Sequence, residues 1–155
     1  MIKMTDIKVI GKSLSCIFRY GRMYIDKNLE KYDINDSQIP ILIITSEHEG
    51  INQNSISKMF NIHRANIARS VNKLEQTGYI IRKKDDKDHR SHKLYLTQKA
   101  KDKKPKFKKI LHNWIEILLS GFSEDEKKQF INFLERASKN AVSIQDMDEY
   151  KRLES

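Results

Sequence analysis

Between Val71 and Ala100 the apolar period of the chain changes from that of a helix to that of a strand, and the change falls at a glycine. Val71 and Leu74 close a helical pattern, and Gly78 follows at the spacing of a left-handed helix stop, which a residue without Cβ adopts at little cost. Beyond it Ile80, Arg82 and Lys84 alternate with Tyr79, Ile81 and Lys83, and on the return Leu94 and Leu96 alternate with Lys93 and Tyr95. A helix end, a glycine and two short strands joined by a charged tip predict a winged helix: mostly α, with a small β-hairpin wing.

The helix pair that such a wing accompanies is legible upstream. Asn52 is a reasonable cap for a helix carrying Ile56, Met59 and Phe60 inward, and Asn61-Ile62 supplies a tight turn after it. The next helix, about His63 to Thr77, brings Ile67, Val71 and Leu74 together when residues are set about 100° apart. Asn66, Arg69 and Lys73 gather on the opposite side, within roughly 60° of one another. Apolar behind and polar in front, the second helix of such a pair fits a major groove. Arg64 and Arg69 suit guanine edges or phosphates, and Asn66 suits adenine, because their donors and acceptors match those of the bases. Lys93, on the returning strand, belongs to the same DNA-binding set.

Charge agrees with that reading. The net charge of +9 is concentrated: residues 52–109 hold 17 Lys/Arg against 5 Asp/Glu, and the rest of the chain 13 against 16. A polyanion is the natural partner of a segmental excess of this kind, since phosphates release condensed counterions when Lys and Arg replace them. Membrane insertion is excluded as an expectation, because the longest apolar run, Ile39 to Ile44, is six residues long and contains Pro40. A single cysteine, Cys16, forms no internal disulfide and suits a reducing compartment, so a cytoplasmic protein is expected.

The remaining segments read as helices. Ile7, Ile10, Leu14, Ile17, Phe18, Met23, Ile25 and Leu29 recur at helical spacing up to about Lys31. Asp36 or Ser37 is expected to cap a second helix in which Pro40 falls in the first turn, and Gly50 ends the connection that follows. Residues 98–120 are expected to form a helix with Pro105 at a kink or in a first turn, striped by Phe107, Ile110, Leu111, Trp114, Ile115, Leu118 and Leu119, and Gly121 ends it. Ser123 with Glu126 makes a capping box for a last helix through Phe130, Phe133, Leu134 and Ala137. Residues 1–155 suit one domain: a DNA-binding lobe over 34–97, and helices over 5–32 and 98–142.

Leu74-Glu75, Gly78, Arg82, Asp88-His89-Arg90 and Leu96-Thr97 fill, in order and spacing, the signature of the MarR family of transcription regulators, which the chain resembles along nearly its whole length. One departure is Ala100, where many members carry glycine. The resemblance implies a homodimeric regulator, in sense a repressor, bound to a pseudo-palindromic duplex. It implies that Arg90 enters a minor groove while Asp88 steadies it, and that the long terminal helices interlock across a twofold axis. Ile10, Leu14, Trp114, Leu118, Phe130 and Phe133 are then expected at that interface or in its supporting core.

Effector control follows from the same resemblance. A small aromatic or anionic ligand would occupy a cleft between the dimer helices and the lobe, with Tyr20, Tyr24, Ile41, Ile44 and His112 as candidates. Two alternatives stay open: redox sensing through Cys16, which has Tyr20 four residues on as in the hydroperoxide-sensing branch, and a winged helix used for architecture or protein association. The five histidines form no spaced metal motif with Cys16, and no phosphate-cradling glycine loop, nucleophile elbow or paired-acid motif is present. No metal, cofactor or catalytic residue is expected.

Overall fold

The computed structural model describes residues 1–60, 62–85 and 91–143, and divides the chain into two compact units, Met1–Ile115 and Glu116–Ser155. In chain order the helices are α1 (Met4–Leu29), α2 (Ile39–Glu47), α3 (Gln53–Phe60), α4 (Arg64–Gln76), α5 (Gln98–Leu118) and α6 (Glu124–Ser143). Strands β1 (Ile80–Lys84) and β2 (His92–Leu96) lie between α4 and α5. The mostly helical winged helix-turn-helix expected from the period change is the fold found.

The core of the first unit is built from one face of each small element. Ile39, Ile41, Leu42 and Ile44 of α2 meet Ile56 of α3, Ile67, Val71 and Leu74 of α4, Ile80, Leu94 and Leu96 of the hairpin, and Ala100 and Phe107 of α5. All are buried. Tyr79, 1% exposed, packs its ring 5.8 Å from that of Phe107 and donates its hydroxyl to the carbonyl of Tyr32 at 2.9 Å, so the polar end of a buried aromatic is satisfied. Burial pushes its phenol above its ordinary pKa.

Local chemistry explains where α4 stops. Gly78 has φ 73°, open space where a Cβ would stand, and neighbours that close the turn: the Tyr79 amide donates to the Leu74 carbonyl at 2.8 Å and the Gly78 amide to Glu75 at 3.0 Å. Backbone conformation, not crowding, is what calls for glycine there. Thr97 then binds the turn from the other side, its hydroxyl donating to the Gly78 carbonyl at 2.7 Å and its amide to the Tyr79 carbonyl at 3.0 Å.

Three expectations are corrected. The second helix does not begin at a cap by Asp36 or Ser37: a 3-10 turn, Asp36–Gln38, precedes it, and Asn35 with Gln38 closes the capping box, the Asn35 amide donating to Gln38 Oε1 at 2.9 Å. Asp36 is drawn elsewhere, its amide donating to Asp26 Oδ1 at 2.7 Å and its carboxylate meeting Arg22 Nε at 2.9 Å. Neither Met59 nor Phe60 points into the core, being 56% and 37% exposed. Ile56 and Ser57 define the inward side of α3; Met59 lies ~110° round from their midpoint, and Phe60, though on that side, is the last residue of the helix.

Pro105 sits inside α5 and not in a first turn, and the helix continues through it to Leu118. In the second unit Ser123 and Glu126 close their box as expected, the Ser123 amide donating to Glu126 Oε2 at 2.7 Å and the Glu126 amide to Ser123 Oγ at 3.3 Å. The Ser123 amide, and after it the Ser123 side chain, hold the Glu126 carboxyl below its usual range. No residue of α6 is buried, and Ile131, Phe133, Leu134 and Val142 are exposed.

Candidate nucleic-acid interface

A serine ties the end of α3 to the residues ahead of α4, while Asn61 of the expected turn lies outside the described residues. Ser57 Oγ donates to the Ile62 carbonyl at 2.6 Å and the Ile62 amide returns to the Ser57 carbonyl at 3.1 Å, so one of the carbonyls freed at the end of α3 is paired. Asn52 caps α3 as expected, its Oδ1 accepting from the Ser55 amide at 2.8 Å. α4 is then held by Ile67, Val71 and Leu74, which are 3%, 0% and 0% exposed. With its apolar side fully engaged, its other side faces outward.

Asn66, Arg69 and Lys73 are on that outward side, and they and Arg64 are all exposed. Among the described residues none of their charged groups is engaged in an ion pair, and Asn66, Arg69 and Lys73 line one cleft together with Phe18 and Arg22 of α1. The structure thus brings three of these four residues onto one surface, with Arg64 at the first turn of the same helix. Long cationic side chains on a rigid helix face, without an ion pair among the described residues, are available to an external anion.

The wing is anchored from both sides. β1 and β2 pair antiparallel, Ile80 opposite Leu96 and Lys84 opposite His92. On the outer edge of β2 the Leu94 amide donates to the Ile51 carbonyl and the Gly50 amide to the Leu94 carbonyl, each at 2.9 Å, and Asn52 bridges Lys93. The segment 50–52 therefore pairs with the free edge of β2 through one isolated bridge, which sequence reading missed: three residues are too few to show an alternation. Lys93 meets Asp85 at 3.3 Å at the loop end of the hairpin, and the Asp85 amide donates to the Ser91 carbonyl at 3.1 Å. Asp88 and Arg90 lie outside the described residues.

Arg82 is the interface residue that sequence reading named only as part of a signature. On β1, it reaches Glu75 of α4 at 3.2 Å and donates to Asn72 Oδ1. No spacing rule would have found this, because its partners stand on a helix seven and ten residues away, across a turn.

The ligand candidates disperse. Ile44 lines a cleft of about 550 Å³ with Ile17, Gly21, Ile25, Leu111 and Trp114, and at its edge Trp114 approaches Gly21 so closely that a Cβ there would stand 3.1 Å from the indole. Tyr24 stacks on the Trp114 ring at 5.8 Å. Ile41 is 1% exposed in the core, whereas Tyr20 and His112 are exposed. Cys16 is a free, exposed thiol on α1. Among the described residues no three His, Cys, Asp or Glu side chains converge as a metal site, and no helix is long and apolar enough to cross a membrane.

A helix pair with a polar outward face, backed by a hairpin and the segment bridged to its edge, defines the winged helix-turn-helix class of DNA-binding proteins. A family model described as MarR family matches residues 34–92. HTH-type transcriptional regulator YybA of Bacillus subtilis (strain 168) is 32% identical over 108 residues, 70% of this chain and 72% of that protein. BilQ of Clostridium symbiosum (strain WAL-14163), also an HTH-type transcriptional regulator, is 30% identical over 117 residues, 76% of this chain and 81% of the other. The crystal structure of a MarR transcriptional regulator from Methanosarcina mazei Go1 superposes with a TM-score of 0.83 and 39% identity, over 88% of this chain and 99% of that one. The chain belongs to the MarR family of DNA-binding transcriptional regulators.

Proposed function

We propose that the chain is a homodimeric, cytoplasmic repressor that reads a pseudo-palindromic duplex and is released by a small aromatic or anionic ligand. The outward face of α4 carries this reading: Asn66, Arg69 and Lys73 stand exposed opposite a side that is completely buried. Arg64, Asn66 and Arg69 enter the major groove, Lys73 and Lys93 lie along the phosphates, and Arg90, steadied by Asp88, enters the flanking minor groove. A narrow A·T minor groove attracts such an arginine through its enhanced negative potential.

Two copies are needed because one helix reads few base pairs, and a twofold axis doubles the contacts on a palindrome. Support comes from α1, where Ile7, Ile10, Leu14 and Phe18 are 52%, 53%, 53% and 67% exposed. So long an apolar stripe calls for cover. The helices over 5–32 and 98–142 provide the dimer contacts and 34–97 the DNA-binding lobe. Release works by population shift: a ligand in the cleft at Ile44 and Trp114 acts only by preferring one separation of the two α4 helices.

Binding to a fluorescent duplex carrying the chain's own upstream region, against a scrambled duplex at physiological salt, tests the reading. A large preference for the upstream region, at a stoichiometry of two chains per site, is expected. Equal binding to both would replace a regulator of specific sites by a protein of chromosome architecture.

A further inference from the structure

The outer half of the wing has little apolar anchorage of its own. β1 leaves the core at Ile80, 1% exposed, and after it Ile81, Lys83 and Lys84 are exposed. On β2 the last core residue toward the tip is Leu94, and His92 beyond it is exposed. A hairpin held by backbone pairing alone is marginal in water. What continues the inward face of β1 past Ile80 is a single charged residue, Arg82, which pairs with Leu94 in the ladder.

The Arg82 side chain is 23% exposed, and its guanidinium is spent on protein acceptors from two other elements. Nη1 lies 3.2 Å from Glu75 Oε2, and Nη2 donates to Asn72 Oδ1; the two partners are one turn apart on α4. The Gln53 amide, oxygen turned inward, accepts from Nε at 3.2 Å and from Nη2 at 3.0 Å, and Gln53 opens α3. A planar fork meeting acceptors on two helices at fixed angles has few ways to tilt. A lysine, with one rotatable ammonium, would meet one acceptor at a time.

We propose that Arg82 is the strut that sets the distance and lean of the wing relative to the recognition helix α4, a positioning residue through which the minor-groove contact is registered against the major-groove contact. It touches no base or phosphate itself. This rests on the proposed entry of Arg90 into the minor groove. If Arg82 acts through the wing, removing the wing contact leaves it nothing to position.

Four full-length proteins test this on the upstream duplex: wild type, Arg82→Lys, Arg90→Ala and the double variant. The expected result is a loss of affinity of about tenfold for each single variant, and less than about twofold further loss when Arg82→Lys is added to Arg90→Ala, because coupled residues are non-additive. Hydroxyl-radical footprints of Arg82→Lys should lose the flanking minor-groove protections and keep the central ones. Glu75→Gln, which keeps shape and removes the charge, should show the same footprint change at a smaller loss, and serves if Arg82→Lys does not fold. An equal penalty for Arg82→Lys with and without Arg90, or central and flanking protections fading together, would overturn the strut in favour of a general role in stability. An Arg90→Ala protein that binds like wild type would overturn the minor-groove reading, and the strut with it.

Discussion

α4 and α1 are both amphipathic helices, yet each leaves the opposite kind of surface open. In α4 the apolar side is fully used inside the first unit, by Ile67, Val71 and Leu74, and the polar side is left free. In α1, 26 residues long, only Gly21 and Leu29 are buried, and Ile7, Ile10, Leu14 and Phe18 stand open. A helix of the first kind is rigidly seated and can present charge at fixed geometry to a polyanion. One of the second kind still has hydrophobic stabilisation to gain, so its natural partner is apolar protein. The same amphipathic pattern in sequence thus divides into two tasks according to which side the fold leaves uncovered.

The sharpest way to break this contrast is to remove a leucine from each helix. Leu74→Ala leaves a cavity at a site with 0% exposure and should destabilise the protein by about 2–5 kcal/mol, seen as a lowered thermal midpoint at every protein concentration. Leu14→Asp should instead yield a folded chain whose dimer dissociates on dilution in sedimentation. A Leu14→Asp protein that stayed dimeric would show that the open stripe of α1 is not the covered surface.

Arg69→Ala probes the free polar side. If Arg69 reads a base, the upstream duplex should lose about 1–3 kcal/mol of binding while scrambled duplex changes little. Equal losses on both duplexes would make it a phosphate contact and should lower the salt slope by about one. Either way the thermal midpoint should hardly move, in contrast to Leu74→Ala, because Arg69 is exposed and has no ion pair among the described residues.

Asn52→Ala is expected to cost about 1 kcal/mol of stability, by freeing the Ser55 amide at the start of α3. Chemical denaturation should report it. That cap was legible because an asparagine ahead of an amphipathic run is a local signal. The Gly78 stop and the hairpin were legible for the same reason, each being written within a few neighbouring residues. What could not be read depends on contacts distant in sequence. Segment 50–52 is bridged into place only because β2 arrives beside it, and Arg82 becomes a strut only because α4 and α3 present Asn72, Glu75 and Gln53. The exposed Phe60 was misjudged because periodicity gives the direction of a side chain, not whether other elements reach the last turn of the helix to cover it.

The smallest effect is expected where α1 meets the turn before α2. Asp36 is pushed above its ordinary carboxylate pKa, chiefly by burial and then by the nearby Asp26, with Arg22 at 2.9 Å opposing both. Its Oδ1 is buried without a hydrogen-bond partner. A folded pKa above the unfolded one means that protonation favours the fold. The stability it brings is fully present below the unfolded carboxylate pKa, and is lost as pH rises through the folded value. At neutral pH the ionised Asp36 is therefore a mild burden, and Asp36→Asn, neutral at every pH, should raise the thermal midpoint there by an amount equivalent to under about 1 kcal/mol, since the Arg22 pair is forfeited at the same time. The gain should shrink and vanish as the pH is lowered through the carboxylate range. If Asp36→Asn instead lowers the midpoint at pH 7 and matches wild type only in acid, the ion pair with Arg22 outweighs burial, and α1 is tied to the DNA-binding lobe by charge rather than in spite of it.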